Sequence, residues 1–162
     1  MNIKYTLVFI CCITMLNCSD VKNKKTIDNK VINTSLYLDL EGNTVKIQDF
    51  KGKRVLLNFW ATWCTPCLKE MPSMLKAQEI LKDENYVFLF ATTDNLDKIN
   101  QFKKNNDYPF QYLQFKSTLD KLNIYALPAT LIYNAEGNQV KRIDGATEWD
   151  SKEMLDQLRA IK

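Results

Sequence analysis

Residues 54–67 read RVLLNFWATWCTPC, and they join an apolar run directly to two cysteines that are three positions apart. The near-continuous apolar run at 54–60 is typical of a strand that is buried on both faces of a sheet. Pro66 suits the first turn of a helix, so the cysteines lie where a strand passes into a helix. A Cys-x-x-Cys pair at a helix start brings both sulfur atoms close enough to bond. The stretch therefore predicts a redox-active dithiol formed by Cys64 and Cys67.

The position of the first sulfur atom favours reactive chemistry. It lies beyond the predicted helix, where backbone N–H groups point outward and the helix dipole favours negative charge. Such a setting lowers the pKa of a cysteine and favours the thiolate, which is the reactive form. Half of a zinc site or a structural disulfide would have the same spacing. Zinc would need two more ligands, but the chain has no histidine and its other cysteines all lie within the first eighteen residues. A structural disulfide normally closes a longer loop.

The composition excludes several classes of protein. The chain has 162 residues, of which 46% are hydrophobic and 25% are charged, as is ordinary for one globular domain with a proper core. The net charge of +3 is too mild to indicate a nucleic-acid partner, and no stretch combines a strong basic run with interleaved aromatic residues. A dithiol exchanges electrons through its own sulfur atoms, so we expect neither a cofactor nor a bound metal.

The N-terminus is typical of a targeting segment. Lys4 supplies a positive charge, and the apolar run at 7–16 has the length of a signal-peptide core but is too short for a membrane-spanning helix. Cys18 follows, as in the lipobox of bacterial lipoproteins, although Met-Leu-Asn at 15–17 departs from the usual Leu-small-small sequence. We favour cleavage before Cys18 and its lipidation, with an uncleaved anchor and a plain secretory peptide as the alternatives.

All three interpretations place the folded part of the chain outside the cytoplasm, in an oxidising compartment. If Cys18 carries lipid after cleavage, the predicted dithiol is the only thiol pair left. The predicted organisation is a signal and lipobox segment at 1–18, a polar tether at 19–34 and a folded domain at 35–162. We therefore expect a periplasm-facing protein of the bacterial cell envelope that is anchored to the membrane by its N-terminal lipid.

Apolar periodicity and turn residues give the order of elements in the folded domain. The first half is predicted to contain a hairpin of strands at 35–40 and 44–47, a strand at 54–60, a helix after the dithiol that kinks at Pro72, and a strand at 86–91. A helix capped by Asp94 should follow and run to about Asn106, and after it we predict an extended piece at 110–115 and a short helix at 117–122. The chain should end with strands at 129–133 and 139–143 and a last helix capped by Asp150 or a neighbour. This alternation predicts an α/β fold, with a central mixed β-sheet flanked by helices on both faces and an N-terminal β-hairpin.

Several motifs together resemble those of one family. The stretch at 57–67 is similar to the strand and active site of the thioredoxin superfamily, and Glu70 and Pro72 complete a Cys-x-x-Cys-x-x-Glu-x-Pro pattern. Leu-Pro-Ala-Thr at 127–130 resembles the cis-proline loop, and 133–137 resembles the hairpin turn that follows it. Over residues 35–162 the chain resembles the TlpA/ResA-like extracytoplasmic thiol–disulfide oxidoreductases, which implies a thioredoxin-like fold.

The resemblance implies a role for each residue around the dithiol. Cys64, as the exposed N-terminal sulfur, would attack, and Cys67 would resolve the mixed disulfide from within the helix. Trp63 would shield the sulfur atoms and shape a docking surface, with plain packing as the alternative. The two residues between the cysteines, Thr65 and Pro66, would tune the reduction potential.

The proline loop would bind the substrate. The resemblance places Leu127 and Pro128 opposite the dithiol, with Pro128 in the cis form, where the neighbouring backbone stays free to pair with an extended chain. An ordinary loop proline is the alternative interpretation of Pro128.

Glu70 is the predicted proton carrier. A partly buried carboxylate on the helix that bears the cysteines could take up or supply a proton during exchange. A first-turn acid that favours the helix dipole, or a surface charge, is the alternative. Ordinary thioredoxins resemble this chain but have a buried aspartate in place of Asn58, so proton handling would pass to Glu70 or to water.

The resemblance implies a reductase that exchanges disulfides with oxidised extracytoplasmic proteins and is itself reduced by a membrane thiol reductant. Apocytochrome c is one candidate substrate, but residues 125–129 lack the glycines and the acid that cytochrome-maturation members often carry, so a dedicated role is not indicated. A peroxidase is not expected, because Thr62 lies two residues before Cys64 rather than three and the preceding proline is absent. An oxidase of the same fold, a non-catalytic peptide-binding module and a redox sensor remain as alternatives.

Overall fold

A seven-stranded mixed sheet forms the centre of the protein, whose computed structural model describes residues 36–162. Its strands are β1 (Tyr37–Leu38), β2 (Thr44–Val45), β3 (Arg54–Phe59), β4 (Tyr86–Thr92), β5 (Gln111–Phe115), β6 (Ala129–Tyr133) and β7 (Gln139–Asp144). Their spatial order is β2-β1-β5-β4-β3-β6-β7, in which β3, β4 and β5 are parallel to one another. The β1–β2 hairpin and the β6–β7 hairpin pair antiparallel at the two sides of this central group.

The register of the sheet places the ends of three strands side by side. Phe59, the last residue of β3, lies beside Ala91 near the carboxyl end of β4 and beside Ala129 at the start of the antiparallel β6. The loop that follows β3 and the loop that precedes β6 therefore leave the sheet at the same edge. The first of these loops leads to Cys64 and the second contains Pro128.

Helices flank both faces of the sheet. The α-helices are α1 (Thr65–Ile80), α2 (Leu96–Asn105) and α3 (Lys152–Arg159), and all three contribute buried side chains to one apolar cluster with the same face of the sheet. The opposite face packs against two 3-10 helices, at Ile47–Phe50 and Leu119–Leu122. The predicted fold class, a mixed sheet with helices on both faces and an N-terminal hairpin, is confirmed.

Helix α1 begins at the dithiol because its first residues favour a helix start. Cys64 is the N-cap and Pro66 lies in the first turn, where its missing N–H costs no hydrogen bond. The buried face of the helix then contains Cys67 and, three and four residues after it, Glu70 and Met71, which is the spacing of one helix face. The helix continues through Pro72, which lies inside it.

Some predicted boundaries are wrong, and the first strand of the hairpin is Tyr37–Leu38, shorter than the predicted 35–40. The second strand of the hairpin ends at Val45, because Ile47 begins a 3-10 helix that buries its side chain in the apolar cluster on the opposite face of the sheet. Asp94 does not cap α2: its neighbour Asn95 is the N-cap, and the Asn95 side chain accepts a hydrogen bond from the Lys98 N–H at 3.0 Å. The last helix is capped by Ser151, the neighbour of Asp150.

The predicted targeting segment, the tether and Cys18 lie outside the described residues. Within 36–162, no helix is both long enough and apolar enough to span a membrane.

Candidate active site

The two cysteines form a disulfide at the N-terminus of α1. Their Cα atoms are 5.3 Å apart, and the backbone N–H of Cys67 donates a hydrogen bond to the Cys64 Sγ at 3.3 Å. Once the disulfide is reduced, the same donor and the positive end of the helix dipole would stabilise a thiolate on Cys64. The local geometry can therefore favour one sulfur atom of the pair as the nucleophile.

The expectation that Cys64 is exposed is wrong for this disulfide-bonded form. Cys64 is 3% exposed and Cys67 is 1% exposed, because both lie in the apolar cluster that the α-helices form with the sheet. Trp63, by contrast, is 72% exposed, so the alternative that it serves plain packing is wrong. Thr65 and Pro66 are exposed as well, so the side chains of three residues next to the buried sulfur atoms face solvent.

A buried aspartate holds the loop that precedes the dithiol. The Asp94 Oδ2 accepts a hydrogen bond from the Thr62 N–H at 2.8 Å, two residues before Cys64. Asp94 is itself fixed at the end of β4, because its N–H donates to the Thr92 Oγ1 and its carbonyl accepts from the Gln114 side chain. The Asp94 carboxylate thus already accepts a hydrogen bond from the loop before the dithiol, which explains why Asn95 caps α2 instead.

The proline loop lies at the same edge of the sheet. The Leu127–Pro128 peptide bond is cis, as the resemblance implies. Pro128 is buried, and its carbonyl accepts a hydrogen bond from the Gly145 N–H at 2.9 Å, which ties the loop to the end of β7. Leu127 is half-buried and packs against both apolar clusters.

Glu70 lies inside the protein with three hydrogen-bond donors around its carboxylate. Oε1 accepts from the Asn58 Nδ2 at 2.9 Å, and Oε2 accepts from the Thr147 N–H at 3.0 Å and the Trp149 Nε1 at 2.9 Å. The residue is 4% exposed and is the sixth residue of α1. The alternative that Glu70 is a first-turn acid or a surface charge is therefore wrong.

Burial raises the pKa of the Glu70 carboxyl, and the hydrogen bonds from Trp149, Thr147 and Asn58 lower it in part, so that the pKa stays above that of an ordinary glutamate. Glu70 also borders a cavity of about 200 Å³, together with Lys69, Thr147 and other residues of the turn between β7 and α3. The carboxyl thus holds a proton more readily than an exposed one and has an opening through which water can approach.

Asn58 connects this acid to the proline loop. It is buried on β3, and its Nδ2 donates both to the Glu70 carboxylate and to the Thr130 Oγ1 at 3.0 Å. Thr130 lies on β6, two residues after Pro128. The amide therefore joins the active-site helix to the strand that follows the proline loop.

Sequence reasoning missed Asp94, Thr147 and Trp149 as parts of this site. Thr147 and Trp149 lie 77 and 79 positions from Glu70, in the turn between β7 and α3. One signal could have indicated them: Trp149 is a large aromatic residue in the otherwise polar stretch GATEWDS at 145–151. In residues 36–162, no group of three or more His, Cys, Asp or Glu side chains is placed to hold a metal ion.

Comparison with known proteins agrees with this arrangement. Residues 27–141 match the model of the AhpC/TSA family. The chain is 33% identical over 127 residues to the thiol-disulfide oxidoreductase ResA of Bacillus thuringiensis subsp. konkukian, covering 74% of this chain and 69% of that protein. It is 35% identical over 111 residues to ResA of Bacillus subtilis, covering 66% of this chain and 62% of that protein.

Solved structures of thioredoxin-like proteins from bacteria have the same fold as this chain. A putative thiol-disulfide oxidoreductase from Bacteroides vulgatus superposes with a TM-score of 0.68 at 25% identity, over 78% of this chain and 90% of that one. An exposed lipoprotein thioredoxin from Streptococcus pneumoniae superposes with a TM-score of 0.64 at 27% identity, over 75% of this chain and 96% of that one. With the dithiol at a helix start, the chain belongs to the thioredoxin-like AhpC/TSA family, as a thiol–disulfide oxidoreductase of the ResA type.

Proposed function

We propose that the chain is an extracytoplasmic thiol–disulfide reductase, in which Cys64 attacks the disulfide of an oxidised protein and Cys67 releases the product. The observation that carries this proposal is the position of Cys64 as the N-cap of α1, where its sulfur accepts a hydrogen bond from the Cys67 N–H. A sulfur at that position is favoured as a thiolate, and the thiolate is the form that attacks disulfides.

The reaction begins from the reduced dithiol. The Cys64 thiolate attacks one substrate sulfur, so that a mixed disulfide forms, the substrate S–S bond breaks and the other substrate sulfur leaves as a thiolate. Cys67 then loses its proton and attacks the Cys64 Sγ, which forms the intramolecular disulfide and releases the second substrate sulfur. Two electrons pass from the dithiol to the substrate, and the structure corresponds to the oxidised product. A membrane thiol reductant returns the two electrons.

Glu70 is the proton acceptor for Cys67 in this mechanism. The two residues are three positions apart on the buried face of α1, a spacing that brings Cβ atoms to about 5–6 Å. Burial raises the pKa of Glu70, so its proton affinity is closer to that of a thiol than an exposed carboxyl's would be. The cavity beside Glu70 gives the proton a way out to water.

The substrate surface lies around the dithiol. Trp63, Thr65 and Pro66 are exposed beside the buried cysteines, and Leu127 and Pro128 lie at the adjoining edge of the sheet. This combination suits an extended segment of an oxidised protein that lies along the proline loop and presents its disulfide to Cys64. The substrates are oxidised extracytoplasmic proteins, with apocytochrome c as one candidate.

The N-terminal segment attaches this domain to the membrane. Residues 1–18 are a signal and lipobox segment, Cys18 carries the lipid, and residues 19–34 are a tether for the domain at 35–162. A structural neighbour from Streptococcus pneumoniae is described as an exposed lipoprotein, which supports this organisation. The protein then works in the bacterial cell envelope, on the periplasmic side.

Thiol labelling of intact cells tests the direction of exchange and the location together. A membrane-impermeant maleimide should modify the attacking sulfur, Cys64, without prior reduction, since a reductase is kept as a dithiol. Labelling only after an external reductant is added would contradict the reductase and favour an oxidase, and labelling only after lysis would contradict the location. Mass analysis of the membrane-extracted protein should show a mature N-terminus at Cys18 that carries added lipid; an N-terminus elsewhere with no added lipid would contradict the lipid anchor. A protein with both Cys64→Ser and Cys67→Ser is the unlabelled control.

A further inference from the structure

Two tryptophans are fully buried in the same apolar cluster, but their indole N–H groups have different surroundings. The Trp149 Nε1 donates a hydrogen bond to the Glu70 Oε2 at 2.9 Å. The Trp60 Nε1 has no hydrogen-bond partner in the part of the chain that the structure describes. Since Trp60 is equally buried without such a partner, burial in this cluster does not by itself explain the bond between Trp149 and Glu70, which is a specific feature of this site.

Trp149 is fixed relative to Glu70 by its main chain as well as by its ring. Its backbone N–H donates to the Ser73 Oγ at 3.2 Å, and the Ser73 hydroxyl donates to the carbonyl of Glu70 at 2.8 Å. The indole therefore approaches the carboxylate from a turn that is itself hydrogen-bonded to α1. Such a connection holds the donor in place without requiring a side chain to be ordered at the moment of reaction.

The groups around the Glu70 carboxylate suit the ionised form. The indole N–H of Trp149 and the backbone N–H of Thr147 can only donate, and the Asn58 Nδ2 donates as well. Burial raises the pKa of Glu70 and so favours its protonated form, and a protonated carboxyl cannot accept the proton of Cys67. The charged residues that border Glu70 at its cavity are Lys69 on α1 and Glu148 on the turn, which have opposite signs.

We propose that Trp149 is a positioning residue for the exchange reaction, whose indole N–H holds the Glu70 carboxylate in one place and in the ionised form that accepts a proton from Cys67. The catalytic meaning of this inference rests on the proposed role of Glu70. The contact between the ring and the acid can be tested separately from that role.

The test compares Trp149→Phe with Trp60→Phe in the full-length protein in detergent. Both variants replace a buried indole with the same smaller ring, but only the first removes a donor from Glu70. With carboxyl-labelled glutamate, the Glu70 signal is assigned by its loss in Glu70→Gln. Its titration midpoint should rise by about one pH unit in Trp149→Phe and stay in place in Trp60→Phe. The pH profile for resolution of the mixed disulfide should move upward by the same amount only in Trp149→Phe.

The outcomes separate this inference from the proposed function. An unchanged Glu70 midpoint in Trp149→Phe, or an equal shift in both variants, would overturn the positioning role alone. A Glu70→Gln protein that resolves the mixed disulfide at the normal rate would overturn the proton role itself. If Trp149→Phe does not fold, the contact between Trp149 and Glu70 can still be tested in the unsubstituted protein. Its Trp149 indole N–H resonance should titrate with the Glu70 midpoint while that of Trp60 does not, and a Trp149 resonance that ignores this titration would contradict the proposal.

Discussion

Replacing Cys64 with serine is expected to abolish disulfide exchange, whereas replacing Cys67 with serine should stop the reaction one step later. A serine hydroxyl at position 64 is not a thiolate at neutral pH and cannot attack a disulfide, so the rate should fall by about 10³-fold or more. The Cys67→Ser protein keeps the nucleophile at the start of α1 but lacks the sulfur that releases the product. It should therefore accumulate as a mixed disulfide with its substrate.

The asymmetry of the two variants is the informative result. It is measured with an oxidised protein substrate by following the appearance of substrate thiols and the mass of the covalent complex after acid quenching. The unsubstituted protein and the protein with both Cys64→Ser and Cys67→Ser are the controls, which should show full exchange and no covalent complex respectively. A covalent complex that forms with Cys64→Ser and is absent with Cys67→Ser would reverse the assignment of the two sulfur atoms.

Replacing Asn58 with aspartate is expected to destabilise the folded protein and to make its stability fall as pH rises. The Asn58 Nδ2 lies 2.9 Å from the Glu70 Oε1, so the change places two buried carboxyl groups against each other. Like charges at that distance cannot both be ionised at low cost, and the loss should be about 3 kcal/mol near neutral pH. Shared protonation raises a carboxyl pKa in the folded state, so the folded protein binds more protons than the unfolded chain. Stability is thus kept at low pH and lost as pH rises above the ordinary carboxyl pKa.

A second substitution provides the control for this prediction. In the protein with both Asn58→Asp and Glu70→Gln, the amide and the carboxylate exchange sides, so a donor again faces an acceptor. Urea unfolding at a series of pH values should show that this double variant regains most of the lost free energy of unfolding. An Asn58→Asp protein that is as stable as the original at every pH would show that the two side chains do not share a site.

The strand-to-helix junction could be predicted because its determinants are local. The apolar run at 54–60 indicates a strand buried on both faces, and Pro66 favours a helix start directly after it. The cis peptide before Pro128 was expected only from the resemblance to a family. The register that brings Pro128 to the edge near Cys64 depends on the pairing of β3 with β6, whose paired residues lie 70 to 78 positions apart in the sequence.

The partners of Glu70 could not be predicted for the same reason. Asn58, Thr147 and Trp149 come from a strand, a turn and the approach to the last helix, and their convergence on one carboxylate exists only in the packed protein. Asp94 shows a different limit. Asp94 and Asn95 both suit an N-cap by residue type. Asn95 is the N-cap because the Asp94 side chain binds Thr62, which is far away in the sequence.

The prediction that Cys64 is exposed was wrong because it was based on the position of the residue in the chain alone. An N-cap residue lies at the end of a helix, but whether solvent reaches it depends on what packs around that end. Here the helix end is covered by the apolar cluster between α1 and the sheet, and Trp63 is the exposed side chain instead. In the proposed mechanism, a substrate must therefore bind at the surface around Trp63 before it reaches the sulfur atom.

The reduction potential of the Cys64–Cys67 disulfide distinguishes a reductase from an oxidase. It is measured on the full-length protein in detergent by equilibration with dithiothreitol and glutathione buffers, followed by alkylation and mass analysis of the two cysteines. A reductase requires a strongly reducing value, near the value of about −270 mV that is typical of thioredoxin. A value near about −120 mV, which is typical of strong disulfide donors, would contradict the proposed direction of exchange.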